Sequence, residues 1–96
     1  MKTYQEIAEK WGVTPEQVKQ LKTAMGVTWG NIAGDWFDCF ESENEAYDSY
    51  GSEASMIAEA TIDADRIRDY TREDMGWVYK MSNVMKFAQD VWNCRC

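Results

Sequence analysis

Trp29-Gly30-Asn31-Ile32-Ala33-Gly34-Asp35-Trp36-Phe37-Asp38-Cys39-Phe40 is the stretch from which the fold class is read. Its apolar residues Trp29, Ile32, Ala33, Trp36, Phe37 and Phe40 recur at i, i+3, i+4, i+7, i+8 and i+11. That spacing is one face of an α-helix, and period-two alternation does not reproduce it. Asp35 and Asp38 then project from the opposite side, and Glu41 and Glu45 extend the row. Gly30 and Gly34 oppose the reading, because each costs about 1 kcal/mol relative to Ala inside a helix. A strand or irregular turn therefore stays open at this point.

Towards the N-terminus the punctuation is threonine. Thr3, Thr14 and Thr28 each precede a stretch with apolar helical spacing, as does Thr71 further on. Thr3 with Glu6 and Thr14 with Gln17 have the spacing of a capping box, in which the hydroxyl and the residue three on satisfy each other's backbone N–H groups. Pro15 follows Thr14 at the first helical position, where a missing N–H costs nothing. These signals predict a helix over 4–11 closed by Gly12 and a second over 15–25 closed by Gly26. Gly12-Val13-Thr14 recurs as Gly26-Val27-Thr28, which predicts a third helix from near Trp29.

Towards the C-terminus, residues 41–52 are polar and turn-rich apart from Ala46, Tyr47 and Tyr50, and read as a connector. Ser52 is placed to cap a helix over 53–69 with Ile57, Ala60, Ala64 and Ile67 inward. Thr71 with Asp74 can open a long last helix over 72–93, lined by Met75, Val78, Tyr79, Met85, Ala88 and Trp92. The expectation is an all-α fold: one domain over 1–96, a compact bundle of about five helices. It has a helical hairpin over 1–26, an acidic segment over 35–65 and a long C-terminal helix.

Charge is distributed very unevenly. Residues 35–65 carry ten carboxylates and no Lys or Arg, so the net charge of −7 comes from this block. Such a block repels nucleic acid and attracts basic surfaces; its plain alternative is a solvated acidic face. Five Trp, five Tyr and three Phe on 96 residues supply large core pieces and leave some aromatics for the surface, where they anchor interfaces. No apolar leader or membrane-spanning run is visible, so a soluble chain in a bacterial host cytoplasm is expected, with no membrane partner. Three cysteines, Cys39, Cys94 and Cys96, fit reduced thiols better than a disulfide framework. With no His in the chain, a zinc site lacks ligands.

Glu6-Ile7-Ala8-Glu9-Lys10-Trp11-Gly12-Val13-Thr14-Pro15-Glu16-Gln17-Val18 resembles the helix-turn-helix of DNA-binding regulators. The resemblance implies that the second helix enters the major groove through its early residues, here Glu16, Gln17, Lys19, Gln20 and Lys22. A purely structural helical hairpin accounts for the same residues, and the charge balance favours it.

Gly30-Asn31-Ile32-Ala33-Gly34-Asp35-Trp36-Phe37-Asp38 is similar to the Gly-x3-Gly-x-Trp-x-Asp signature of ArdA-type antirestriction proteins, over nine residues of the chain. Those are acidic proteins of phages and mobile elements that imitate DNA in the groove of restriction enzymes. The resemblance carries over Gly30, Gly34, Trp36 and Asp38, with Asp38 as a phosphate-like charge. By size and charge the chain also resembles the anti-CRISPR inhibitors of phages.

These features lead to one functional expectation. The chain is expected to be a non-enzymatic inhibitor, an acidic nucleic-acid mimic that occludes the basic groove of a CRISPR effector or restriction enzyme. Asp35, Asp38, Glu41, Glu43, Glu45, Asp48 and Glu53 form its partner surface, with Tyr47 and Tyr50 as aromatic anchors. Trp29 is a further anchor candidate. Glu59, Asp63 and Asp65 extend the charged row. No catalytic, metal or cofactor residues are assigned, since nucleophile–base pairs, phosphate loops and metal-ligand spacings are all missing. Direct DNA binding is not expected. The alternatives are a helix-turn-helix transcriptional regulator and a small helical adaptor.

Overall fold

The structure, a computed structural model, describes residues 2–37, 41–62 and 75–94, the side chains of residues 31–37 and 43 excepted. All regular elements among them are helical. The described residues hold five α-helices: α1 (Tyr4–Trp11), α2 (Pro15–Phe37), α3 (Glu43–Tyr50), α4 (Glu53–Ile62) and α5 (Val84–Asn93). A short 3₁₀ helix, η1 (Gly76–Lys80), precedes α5. The chain is thus an all-α bundle of the expected class, although the elements divide differently.

The first helix forms as its local signals dictate. Thr3 accepts from the Glu6 amide while the Glu6 carboxylate accepts from the Thr3 amide at 3.2 Å, a complete capping box. At the other end Gly12 takes the left-handed conformation, φ 70°, and its N–H donates to the Ala8 carbonyl. Ile7 and Ala8 are buried, fixing the inward face.

The second helix corrects the sequence reading. Residues 15–25 and the helix expected from Trp29 are one continuous element, α2. Gly26 does not stop it, because a stopping glycine needs the left-handed φ found at Gly12 and Gly51 and not at Gly26. Gly26 is exposed, and burial of Val18, Leu21, Ala24, Met25 and Thr28 on the inward face outweighs its propensity cost. Thr28 caps nothing. It is fully buried within α2 and its hydroxyl donates to the Ala24 carbonyl at 2.8 Å.

The connector expected over 41–52 holds a helix of its own, α3. The long helix expected over 72–93 is broken among the residues described. Val78 N donates to Met75 O at 3.0 Å and Met81 N to Val78 O at 3.2 Å, the i+3 pattern of η1. Met81 is then extended, and α5 starts after Asn83. Ser82 and Asn83 favour turns over helix interior, which accounts for the break. Met75 and Val78 are buried as expected, whereas Tyr79 is turned outward and 43% exposed. Residues 63–74, with Ala64, Ile67, Thr71 and Asp74, lie outside the described residues.

α2 is the hub of the bundle, packing against α1, α3, α4 and α5, while α4 and α5 share the most extensive contact. Ile7, Leu21, Met25, Met56, Ile57, Val78, Phe87 and Val91 close the core. Trp11 and Trp77 meet Phe87 edge-on from two sides, with ring centroids 5.6 and 6.0 Å apart.

Candidate acidic partner surface

Helix α3 exists because its ends are well capped. Ser42 accepts from the Glu45 amide at 3.2 Å, and Gly51 ends the helix with φ 92° and an N–H bonded to the Asp48 carbonyl. The Glu45 carboxylate accepts from the Glu41 amide at 2.8 Å, a capping box shifted by one residue. Ala46 is buried, and Tyr47 and Tyr50 are half-buried against the core, so the helix is held by one side.

What remains outward is charge. Glu45 and Asp48 are exposed three residues apart on α3, which puts their Cβ atoms about 5–6 Å apart, and Glu41, exposed just ahead of the Ser42 cap, is held beside Glu45 through its backbone amide. Asn44 and Ser49 flank them. No ion pair reaches these groups among the described residues, and residues 35–65 contain no Lys or Arg. Glu53 is half-buried in the first turn of α4, where a carboxylate is favoured by the partial positive charge of the helix N-terminus. Glu59 is exposed on the same helix.

The expected row is therefore brought together at Glu41, Glu45 and Asp48. Asp35 lies on α2 and Glu43 on α3, with side chains that are not described; Asp38, Asp63 and Asp65 lie outside the described residues. Tyr47 and Tyr50 pack on the core, and Trp29 is half-buried against Trp92, centroids 6.4 Å apart. Among the described residues the large exposed apolar side chain is Tyr79 on η1, which the helical spacing had put inside.

The helix-turn-helix residues divide between cap and surface. The Gln17 side chain accepts from the Thr14 amide at 2.9 Å and serves the N-terminus of α2. Lys22 reaches the far end of α5, where its ammonium donates to the carbonyls of Trp92, at 2.5 Å, and Cys94, at 3.3 Å. It also lies 4.9 Å from the Trp92 ring centroid. These are the carbonyls a helix C-terminus leaves unpaired, so Lys22 caps α5. Lys19 and Glu16 remain exposed. One basic side chain of the expected reading face is thus committed to the fold.

One cluster has no sequence signal beyond residue type. Asp90 on α5 accepts from Lys10 at 2.7 Å and from the Trp11 indole N–H at 2.9 Å, joining helices 79 and 80 residues apart in sequence. Burial pushes the Asp90 carboxyl up, but the Lys10 and Trp11 hydrogen bonds and the charges of Lys10 and Lys2 together hold it below its ordinary value. The Asp90 hydrogen bond raises Lys10 in turn.

Cys94 is buried, while Cys39 and Cys96 lie outside the described residues. Among the described residues no group of three or more Cys, Asp or Glu side chains is placed to hold a metal ion. No described helix is long and apolar enough to cross a membrane. Comparison of the chain with protein-family models, with curated proteins and with solved structures gave no match.

Proposed function

We propose that this protein is a non-enzymatic inhibitor of a nucleic-acid-targeting defence complex, of the anti-CRISPR or antirestriction kind, acting by occupying a basic DNA or RNA groove. The observation that carries the reading is the group Glu41, Glu45 and Asp48: exposed, with Glu45 and Asp48 on a helix capped at both ends and Glu41 just ahead of its N-cap, and without a cationic partner among the described residues. A groove built for phosphates engages charges spaced at a few ångströms, and the binding gain comes from replacing counterions on its Lys and Arg side chains. Carboxylates at helical spacing meet that requirement with little ordering cost, because capping and core packing already fix their backbone. Electrostatic complementarity mainly raises the association rate.

The regulator alternative is disfavoured by Lys22, whose ammonium is bound to the end of α5 and not presented beside Lys19. The experiment is a paired binding test at low and moderate salt, with random duplex DNA on one side and a panel of CRISPR effector and restriction complexes on the other. Binding to a complex that weakens when Glu41 and Glu45 become Gln and Asp48 becomes Asn supports the reading. Binding to DNA with no complex bound contradicts it and favours the regulator. Complex binding indifferent to the neutralised face would instead make the chain a plain helical adaptor.

A further inference from the structure

Asp90 sits between two open grooves along the α1/α5 face. One, of about 440 Å³, is lined by Lys10, Trp11, Lys86, Gln89 and Asp90. The other, of about 260 Å³, is lined by Lys2, Ile7, Asp90, Asn93 and Cys94. Lys10 is paired with Asp90, while Lys86 lines one groove and Lys2 the other with no further carboxylate in either lining, a local positive excess on a chain whose net charge is −7. Glu6 and Glu9 lie outside both linings and are engaged on their own helix, by Thr3 and Gln5. Lys86 is exposed, whereas Lys10 is tied to Asp90. The Trp11 ring is half-buried beside them, an aromatic wall with its N–H already bonded.

We propose that this α1/α5 groove receives the carboxylate face of α3 from a second copy of the chain, in a head-to-tail contact. Each copy carries both halves of the pairing: a lysine-lined groove, and the α3 helix with its N-terminal approach, whose Glu41, Glu45 and Asp48 lack cations among the described residues. The halves are on different elements of the bundle. α3 packs on α2 and α4, while the groove is made by α1 and α5, so the contact is made between chains. Repulsion between two chains of net charge −7 is long-ranged and screened beyond about 10 Å at 0.1 M salt, whereas the facing carboxylates and ammonium groups attract at contact distance. Such a contact is heterologous, leaving one groove and one acidic face for the next copy unless the ring closes. The pairing uses the α3 face on which the proposed function also rests, so in the assembled state the face is covered and in the monomer it is available.

Sedimentation velocity over a concentration series, at low and high salt, tests the pairing. The wild-type chain is expected to shift to larger species with concentration at low salt, and to lose that shift at high salt. Lys86→Glu and Asp48→Lys each weaken self-association by about tenfold or more, since each places like charges across the contact. Both positions are exposed and leave the core untouched, and far-ultraviolet circular dichroism checks that the variants fold. An equimolar mixture of the two variants restores association, because the reversed face fits the reversed groove. A monomer at every concentration, or association unaffected by Lys86→Glu, overturns the proposal. So does a monomer whose groove instead binds a polyglutamate peptide in a Lys86-dependent way, which assigns it to a foreign acidic partner. A monomer that still occupies a nuclease groove sinks the self-pairing alone, and a self-pairing chain that binds no defence complex sinks the proposed function alone.

Discussion

Lys22 and Asp90 show at the residue scale how a sparse set of charges is spent on the fold. Lys22 satisfies carbonyls at the end of α5, so Lys22→Met is expected to lower stability by about 1.5–3 kcal/mol in urea denaturation, the range for a charge-assisted hydrogen bond. Unchanged stability would remove the capping role and return the side chain to the surface. Asp90 holds the α1/α5 contact, and its folded-state carboxyl lies below the ordinary value of 3.8. Below that pH the unfolded chain takes up protons first, so the Asp90 contribution is complete above about 3.8 and is lost as pH falls through the lowered folded value. The stability difference between the wild type and Asp90→Asn should therefore shrink across that acid window, with other carboxylates cancelling in the comparison. Lys10 acts at the other extreme: its raised value means that its contribution is present below about 10.5 and fades above it. Neither partnership is legible in the sequence, because a lysine or aspartate at a helix surface gives no sign of which distant backbone or side chain it meets.

Helices show where local signals suffice and where they mislead. α1 is legible in full, since Thr3, Glu6 and Gly12 set both ends within eleven residues of each other. α2 is misread at Gly26 because a glycine after an apolar stripe looks like a stop. The decisive signal is the phase of that stripe: Val18, Leu21, Met25, Thr28 and Ile32 keep an unbroken alternation of three and four residues across Gly26. α3 is missed because polar composition hides it, although Ser42, Glu45 and Gly51 carry its caps. The last helix is overextended because apolar spacing continues through residues that form η1 and a turn. Two substitutions separate the two glycine roles. Gly26→Ala is expected to stabilise the protein by about 0.5–1 kcal/mol, since the added methyl meets nothing within 4 Å in a helical backbone. Gly12→Ala is expected to destabilise it by about 1–2 kcal/mol, because φ 70° strains an L side chain. Thermal denaturation of the pair reads both signs, and a destabilising Gly26→Ala would mean that the chain breaks there.

At the scale of the whole molecule, the acidic face and the fold are separable. The acidic face stands on a helix whose buried side is Ala46 with half-buried Tyr47 and Tyr50, so its carboxylates do not hold the bundle together. The variant Glu41→Gln/Glu45→Gln/Asp48→Asn, which keeps an acceptor oxygen for the Glu41 amide, should thus denature within about 0.5 kcal/mol of the wild type. An all-α fold and the acidic surface are both readable from composition and spacing. The identity of a foreign partner is not, because complementarity is a property of two surfaces and a foreign partner's surface is not encoded in this chain. Competition is the decisive experiment for groove occupation: labelled duplex DNA bound in the basic groove of a CRISPR effector or restriction complex is titrated with the wild-type chain and with the triple variant. The wild type is expected to displace DNA stoichiometrically, and the variant, equally folded, to lose displacement by at least about tenfold. Equal displacement by both chains, or by neither across the panel, would contradict groove occupation by the acidic face.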